Sequence, residues 1–416
     1  MMDGPSTRFD IVIVGGSFVG LALARALVAA APDSFRIAMV ERMPVEQARA
    51  GAFDGRSAAI TASVKAMLDA IGVWGRLSAD AQPILRIELT DSALETPIRT
   101  SLLGLDAREA PAGEPTAYLV ENAKLREALM AGLDGAAEIT WFAPDEVLSF
   151  DTGETEVSVH LKSGGALAAR VLVAADGQKS ALRDMAKIGA TVWTSDKKGI
   201  VVSVGHEKPH GGLAIQHFLP AGPFAILPLT GNRSSIVWTE YAKEADRILA
   251  AGETLFMTEL QKRFGGQFGD LTLLSKPSAY PLTMTLAREF VRPRFVLAGD
   301  AAHGLHWIAG QGLNHGLKDV AALAEVIVDA ARLGLDIGQI DVLKRYERWR
   351  RFDSTTSAFS AAALNRLFSN DSMALRMVRT AGLKAVDRLT PLKSLFMKEA
   401  AGLTGDLPRL LRGQTL

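Results

Sequence analysis

Asp300 is the first residue in this chain whose surroundings suggest chemistry. The run Arg294 to His303 (RFVLAGDAAH) is an apolar strand that ends in Gly299-Asp300, and Ala309 to Asn314 (AGQGLN) follows as a glycine-rich turn. That turn opens a small-residue helix predicted over Gly316 to Ala331. A carboxylate at a strand end accepts hydrogen bonds from ligand hydroxyls, and the N–H groups of a following helix N-terminus attract anions. The glycines let the backbone approach such a ligand closely. Read alone, the segment is also compatible with an ordinary strand–turn–helix corner.

Two further segments share this design. Phe9 to Val14 is a buried-strand pattern, Gly15-Gly16-Ser17-Phe18-Val19-Gly20 follows, and an alanine-rich helix runs to about Ala30. The next strand, Arg36 to Glu41, ends in an acid. This is a βαβ unit with a dinucleotide fingerprint, in which Gly15 makes the tight turn, Gly20 allows close packing and Glu41 meets ribose hydroxyls. Ser17 stands where the pattern has its second glycine. The second segment, Ala169 to Arg183, is an apolar strand ending in Asp176-Gly177, with Ser180 and Arg183 at the start of a helix. By itself Asp-Gly is also a favoured type I turn.

Together the three segments resemble the FAD-dependent aromatic hydroxylases, the group that includes p-hydroxybenzoate hydroxylase. The resemblance implies that Gly15, Ser17, Phe18, Val19, Gly20, Glu41 and Arg42 hold the ADP half of FAD, joined by Arg126. It implies that Asp176 and Gly177 serve FAD and the nicotinamide nucleotide. Gly299 and Asp300 would hold the ribityl chain and phosphates, and Arg56 would contact the flavin. The loop carrying Gly310, Gly312, Leu313 and Asn314 would sit against the isoalloxazine, where amides near Gly310 to Leu313 would stabilise negative charge on the reduced flavin. Gln216 to Leu229, Val237 to Thr239, Ala279 to Leu282, Asn365 to Phe368 and Gly405 to Arg412 are similar to the ubiquinone-biosynthesis branch. The likeness runs from Asp10 to Gly413. Members of that branch hydroxylate a polyprenylated phenol. The implied route uses FAD, NADH or NADPH, and dioxygen, through reduced flavin and a flavin hydroperoxide. Protein groups then supply orientation and water exclusion.

The flavin-facing catalytic loop would be Trp307, Ile308, Ala309 and Gly310. Here the chain departs from its branch, which has proline where Trp307 stands, and His315 replaces a small or aliphatic residue. The departures at Ser17 and Trp307 keep open a second reading, a non-catalytic flavin-binding organiser of a ubiquinone-synthesis assembly. A hydroxylase of another aromatic substrate is a third. Gln216 and Tyr280 are substrate-cavity candidates by position, with core packing the competing role for Tyr280. No metal site is expected: His303 and His306 lack an accompanying ligand set.

The implied fold class is α/β (α+β), a Rossmann-like FAD-binding domain interleaved with a β-sheet substrate domain, plus C-terminal helices. The FAD-binding domain is expected over 1–77, 97–186 and 289–351, the substrate domain over 78–96 and 187–288, and a helical region over 352–416. Strands are expected at Glu138 to Phe150, Glu156 to Leu161, Gly199 to Gly205, Leu213 to Leu219, Phe224 to Pro228 and Ser234 to Thr239. A single helix is expected from Tyr241 to Phe264.

With 416 residues and 48% hydrophobic content, the chain can bury a large core. It has no cysteine, which removes disulfides and thiolate chemistry and fits a cytoplasmic protein. No apolar run reaches roughly 18 residues, so no membrane-spanning helix is expected. Met1 to Arg8 does not read as a leader. Net charge is zero, but Ser360 to Leu416 holds nine Lys/Arg against four Asp/Glu. Its apolar residues Leu389, Leu392, Leu395, Phe396 and Met397 recur near helical spacing beside Lys393 and Lys398. Such a basic amphipathic helix suits either peripheral contact with the inner face of the cytoplasmic membrane or packing on the protein body. No basic patch is interleaved with stacking aromatics, so nucleic acid is not an expected partner.

Overall fold

The structure is a computed structural model. It describes residues 7–49, 53–91, 101–109, 114–305, 311–353 and 389–416. Two large sheets organise them. The first has eight strands around Thr7–Val14, which pairs in parallel with Ala166–Ala174 on one side and Ile37–Val40 on the other. Phe295–Leu297 continues it in parallel beyond Ala166–Ala174, and Ile139–Phe142 continues it beyond Ile37–Val40. Parallel strands buried on both faces need continuous apolar runs, and Ile11, Val12, Ile13 and Ile37 to Val40 supply them, all essentially inaccessible. The helices Phe18–Ala30 and Gln311–Arg332 belong to the same core, through Leu23, Leu27, Leu323 and Ile327. Each such buried aliphatic side chain contributes roughly 1.5–3 kcal/mol.

The second sheet has nine strands and is antiparallel apart from the pairing of Leu213–Leu219 with Arg86–Asp91. Its central path runs Ser278–Ala287, Ala190–His206, Arg233–Tyr241, Gly222–Leu229 and Leu213–Leu219. Alternate residues divide its faces. Ile200, Val202, Phe224, Ile236 and Trp238 point to the helices Ala242–Ala250 and Glu253–Phe264 and form a second core with Phe256, Leu260 and Phe264. The opposite face carries Gly199, Val201, Val237 and Tyr280.

Several elements differ from the sequence expectation. Residues 138–150 are two strands, Ile139–Phe142 and Val147–Thr152, because Pro144 has no N–H to continue the ladder. The single helix expected from Tyr241 to Phe264 breaks at Gly252, whose φ of +86° only glycine adopts readily. Ser101–Asp106, expected in the FAD-binding domain, pairs with Arg86–Asp91 in the second sheet; Ala117–Glu121 then joins Ser57–Thr61 in a small three-stranded sheet, and the chain rejoins the first sheet at Ile139–Phe142. His303–Leu305 also joins the second sheet, against Ser278–Ala287.

Candidate cofactor and substrate site

Three chain segments converge because glycines remove atoms where backbones meet. Gly15 has φ +113°, and a Cβ there would lie 2.3 Å from the Ala175 carbonyl oxygen. A Cβ on Gly20 would lie 1.9 Å from the Gly15 oxygen. Val19 fits between Gly299 and Gly316, whose hypothetical Cβ atoms would approach its Cγ2 to 2.8 and 2.7 Å. The first and third motifs therefore interlock through one side chain.

Ser17 takes the N-cap position of Phe18–Ala30, yet its hydroxyl makes no capping bond, and the first turn holds no acidic residue. The first-turn N–H groups lack intrahelical acceptors by geometry, so this end suits a phosphate. At the end of the next strand, one Glu41 oxygen accepts the Gly16 N–H at 2.6 Å and the other accepts the Met43 N–H at 3.0 Å. Each oxygen retains a lone pair for a hydroxyl. Arg126 lies over the Phe18 ring at 5.5 Å. Arg42, next to Glu41, is exposed and does not line the cavity described below.

A cavity of about 380 Å³ lies between the strand ends of the first sheet and the open face of the second. Ser17, Phe18, Val19, Arg56, Gly177, Asp300, Gly312 and Leu313 line one side, and Val201, Val237, Tyr280 and Leu282 the other. Arg56 is held there by Asp54, with Nε and Nη2 each 2.6 Å from Oδ2. Burial works against the Arg56 charge, but the Asp54 carboxylate, helped by Tyr280, raises its pKa above the ordinary value. The Arg56 loop is pinned at two points: its carbonyl accepts the N–H of Asn122, at the start of the helix Asn122–Ala131, and the Gly55 carbonyl accepts the hydroxyl of Ser203 on the second sheet.

Not every expected residue faces this space. Both Asp176 oxygens serve their own turn, accepting the Ser180 hydroxyl at 2.6 Å and the Leu182 N–H at 3.3 Å. Gly177 lines the cavity, whereas Asp176 shapes the turn. The Asn314 side chain is also occupied. Its oxygen accepts the Thr61 N–H at 3.1 Å and its amide donates to the Ala59 carbonyl at 2.7 Å. Gln216 sits two strands from Val237 on the cavity face, in register with Ala225, but does not line the cavity. Tyr280 does line it, with 37% of its surface exposed, so core packing is not its role. Trp307, Ile308, Ala309, Gly310 and His306 lie outside the described residues.

The sequence reading missed Ser57 and Asn122. Both line the cavity, and Ser57 Oγ and Asn122 Oδ1 are buried without a hydrogen-bond partner. A buried polar atom left so costs about 1–3 kcal/mol, which a polar ligand would recover. The glycine cradle and these orphaned atoms fit a large phosphorylated cofactor. The signal for Asn122 was present, since it closes the strand–helix junction after Tyr118 to Glu121, but no motif marks it.

Comparison with known proteins agrees with this geometry. The family described as FAD binding domain matches residues 8–352. The ubiquinone hydroxylase UbiL of Rhodospirillum rubrum is 42% identical over 98% of this chain and 93% of its own length. The 3-demethoxyubiquinol 3-hydroxylase of Escherichia coli is 33% identical over 95% of this chain and 98% of its own. Among solved structures, the p-nitrophenol 4-monooxygenase PnpA of Pseudomonas putida superposes with a TM-score of 0.80 at 19% identity, covering 96% of this chain and 99% of that one. The chain belongs to the FAD-binding-domain family, and FAD is its cofactor. Within that family it is an FAD-dependent aromatic hydroxylase.

Proposed function

We propose that this chain uses FAD, NADH or NADPH, and dioxygen to hydroxylate the aromatic ring of a polyprenylated phenol in ubiquinone biosynthesis. One observation carries the reading. A glycine-built cradle from three distant segments and an apolar sheet face bound the same cavity, so a phosphorylated cofactor and a flat apolar ring would meet there. The names of the relatives at 42% and 33% identity supply the substrate class.

The residues divide the work. Gly15 to Gly20 and Glu41 would hold the ADP half through backbone N–H groups and one carboxylate. Gly299, Asp300, Gly312 and Leu313 would hold the ribityl end, and Arg56 would face the flavin. Ser57 and Asn122 would each complete a missing hydrogen bond. The chemistry FAD supplies once bound and reduced is insertion of one oxygen atom of dioxygen into an aromatic ring. Val201, Val237 and Leu282 would keep water from the ring, which protects such chemistry from unproductive collapse. Tyr280, beside Arg56, would orient the phenol.

The helix Thr390–Ala400 supports peripheral contact with the cytoplasmic face of a membrane. Met397 packs against Leu102, Leu103, Leu105 and Phe218 on the second sheet, while Leu392, Leu395 and Phe396 stay exposed beside Lys398. That arrangement suits a substrate with an isoprenoid tail. Among the described residues no helix is long and apolar enough to cross a membrane.

Mass spectrometry of quinone lipids in cells lacking the gene, with and without re-expression, tests the reading. The expected result is a prenylated phenol short of one hydroxyl that accumulates and then disappears on re-expression. Unchanged quinone lipids would sink the substrate assignment. An organiser without catalysis predicts no substrate-dependent NAD(P)H oxidation by the purified protein.

A further inference from the structure

Among the described residues, the most deeply buried carboxylate lies behind the cavity, not in it. Asp319, in the helix Gln311–Arg332, is fully buried, as is His303, and Arg350 is 3% exposed. One Asp319 oxygen accepts two bonds, from the Gly299 N–H at 2.8 Å and from His303 Nε2 at 2.7 Å. The other accepts Arg350 Nε at 2.6 Å. Arg350 also reaches Asp353 at 2.5 Å and the His315 carbonyl at 3.4 Å.

Two of these three bonds go to the two ends of one short turn. Gly299 opens it with φ +64°, Asp300 is displayed on it at the cavity, and His303 closes it at the edge of the second sheet. Burial alone would push the Asp319 carboxyl up, but His303 and Arg350 outweigh it and hold its pKa down to about 2. The carboxylate is therefore acceptor-only, and His303 Nε2 must donate. A buried ion pair is seldom worth more to stability than apolar side chains of the same volume. What apolar side chains could not do is hold the Gly299 N–H and His303 at fixed positions.

We propose that Asp319 is a positioning residue: through Gly299 and His303 it pre-forms the turn that presents Asp300 to the cavity before any cofactor binds. The proposal rests on Asp300 being a cofactor-binding residue, as read above. Arg350 neutralises the carboxylate and ties the turn to the helical residues 340–353.

Two substitutions at His303 separate this role from packing, because its ring also lies 5.6 Å from that of Phe290. His303→Phe keeps the aromatic contact and loses the bond to Asp319, whereas His303→Gln keeps an N–H donor and loses the ring. FAD affinity of the apoprotein, read by quenching of flavin fluorescence, is the measurement. The proposal expects the Phe variant to weaken by roughly tenfold or more, the scale of one lost charge-assisted hydrogen bond, and Gln to stay within about threefold. The reverse order, equal losses, or no loss in either would overturn it. Amide hydrogen exchange on the wild-type apoprotein gives a reading that needs no variant. Slow exchange at Gly299 without FAD is expected, and slow exchange only after FAD is added would overturn the proposal. Wild-type protein that binds no FAD at all would instead count against the cofactor reading itself.

Discussion

The two sheets reach the same cavity by different means. The first presents mainly backbone: glycines at strand ends, helix first turns, and few side chains, chiefly Phe18 and Asp300. The second presents side chains on alternate residues of strands far apart in sequence, Val201, Val237, Tyr280 and Leu282. Backbone recognition tolerates almost no added atom, because nothing can rotate away, whereas a side-chain face can repack around a substitution.

Glycine substitution tests that contrast most severely. In Gly20→Ala the new Cβ would sit 1.9 Å from the Gly15 oxygen, whereas in Gly104→Ala, on the second sheet, it would meet nothing within 4 Å. Gly20→Ala should cost about 3 kcal/mol or more and abolish flavin absorbance, while Gly104→Ala should change stability by less than about 0.5 kcal/mol. Equal denaturation midpoints for the two would break the comparison.

Next in size is the second sheet's own buried ion pair. Arg263 lies over the Trp238 ring at 4.2 Å and pairs with Glu240 at 3.1 Å, both buried. Arg263→Met should destabilise by roughly 3–5 kcal/mol by stranding Glu240. The double variant Arg263→Met, Glu240→Leu should recover most of that in urea denaturation. FAD affinity of the folded fraction should not change, since this pair lies on the face away from the cavity.

Glu41→Gln keeps an acceptor for the Gly16 N–H, gives up the exposed bond from the Met43 N–H, and removes the charge that a ribose would share. FAD binding should weaken by about tenfold with stability within roughly 1 kcal/mol. An unchanged dissociation constant would remove Glu41 from the cofactor site.

His315 gives an effect that is absent at neutral pH and appears only on acidification. Burial, then His303, Arg350 and Lys318, outweigh Asp353 and push its pKa down to about 3. The folded state thus keeps His315 neutral while the unfolded state protonates near 6.5. Its contribution to stability is complete above pH 6.5 and falls as pH drops toward 3, by on the order of 1.4 kcal/mol per unit. His315→Phe should flatten stability between pH 6 and 4, and a slope as steep as the wild type's would refute the assignment.

The smallest effect is expected at Tyr280→Phe. On the side-chain face, loss of one hydroxyl should raise KM a few-fold and leave FAD affinity untouched. A flavin spectrum altered by this change would show the two faces to be less separate than proposed.

The motifs read well where chemistry is local. Gly15, Gly20 and Gly299 lie at close approaches, and two of them at positive φ, because tight turns between strand and helix need such positions. Asp176 and Asn314 read less well for the same local reason. A carboxylate or amide at a turn can serve a ligand or its own backbone, and here Ser180, Leu182, Thr61 and Ala59 take them. Gly252 was visible as a glycine, but not the helix break its positive φ makes.

By itself, the sequence determined that three strand ends with glycine turns would build a cofactor cradle, and that the 199–239 region would be sheet. Periodicity and backbone freedom are properties of neighbouring residues, so they can be read without a fold. Only the tertiary structure decided that Asn122 and Ser57 face the cavity with unmet hydrogen bonds. It alone placed Tyr280 beside Arg56, moved residues 101–106 to the second sheet, and set Asp319 behind Asp300. Those facts depend on strand register and helix docking between residues tens to hundreds of positions apart, which spacing along the chain does not encode.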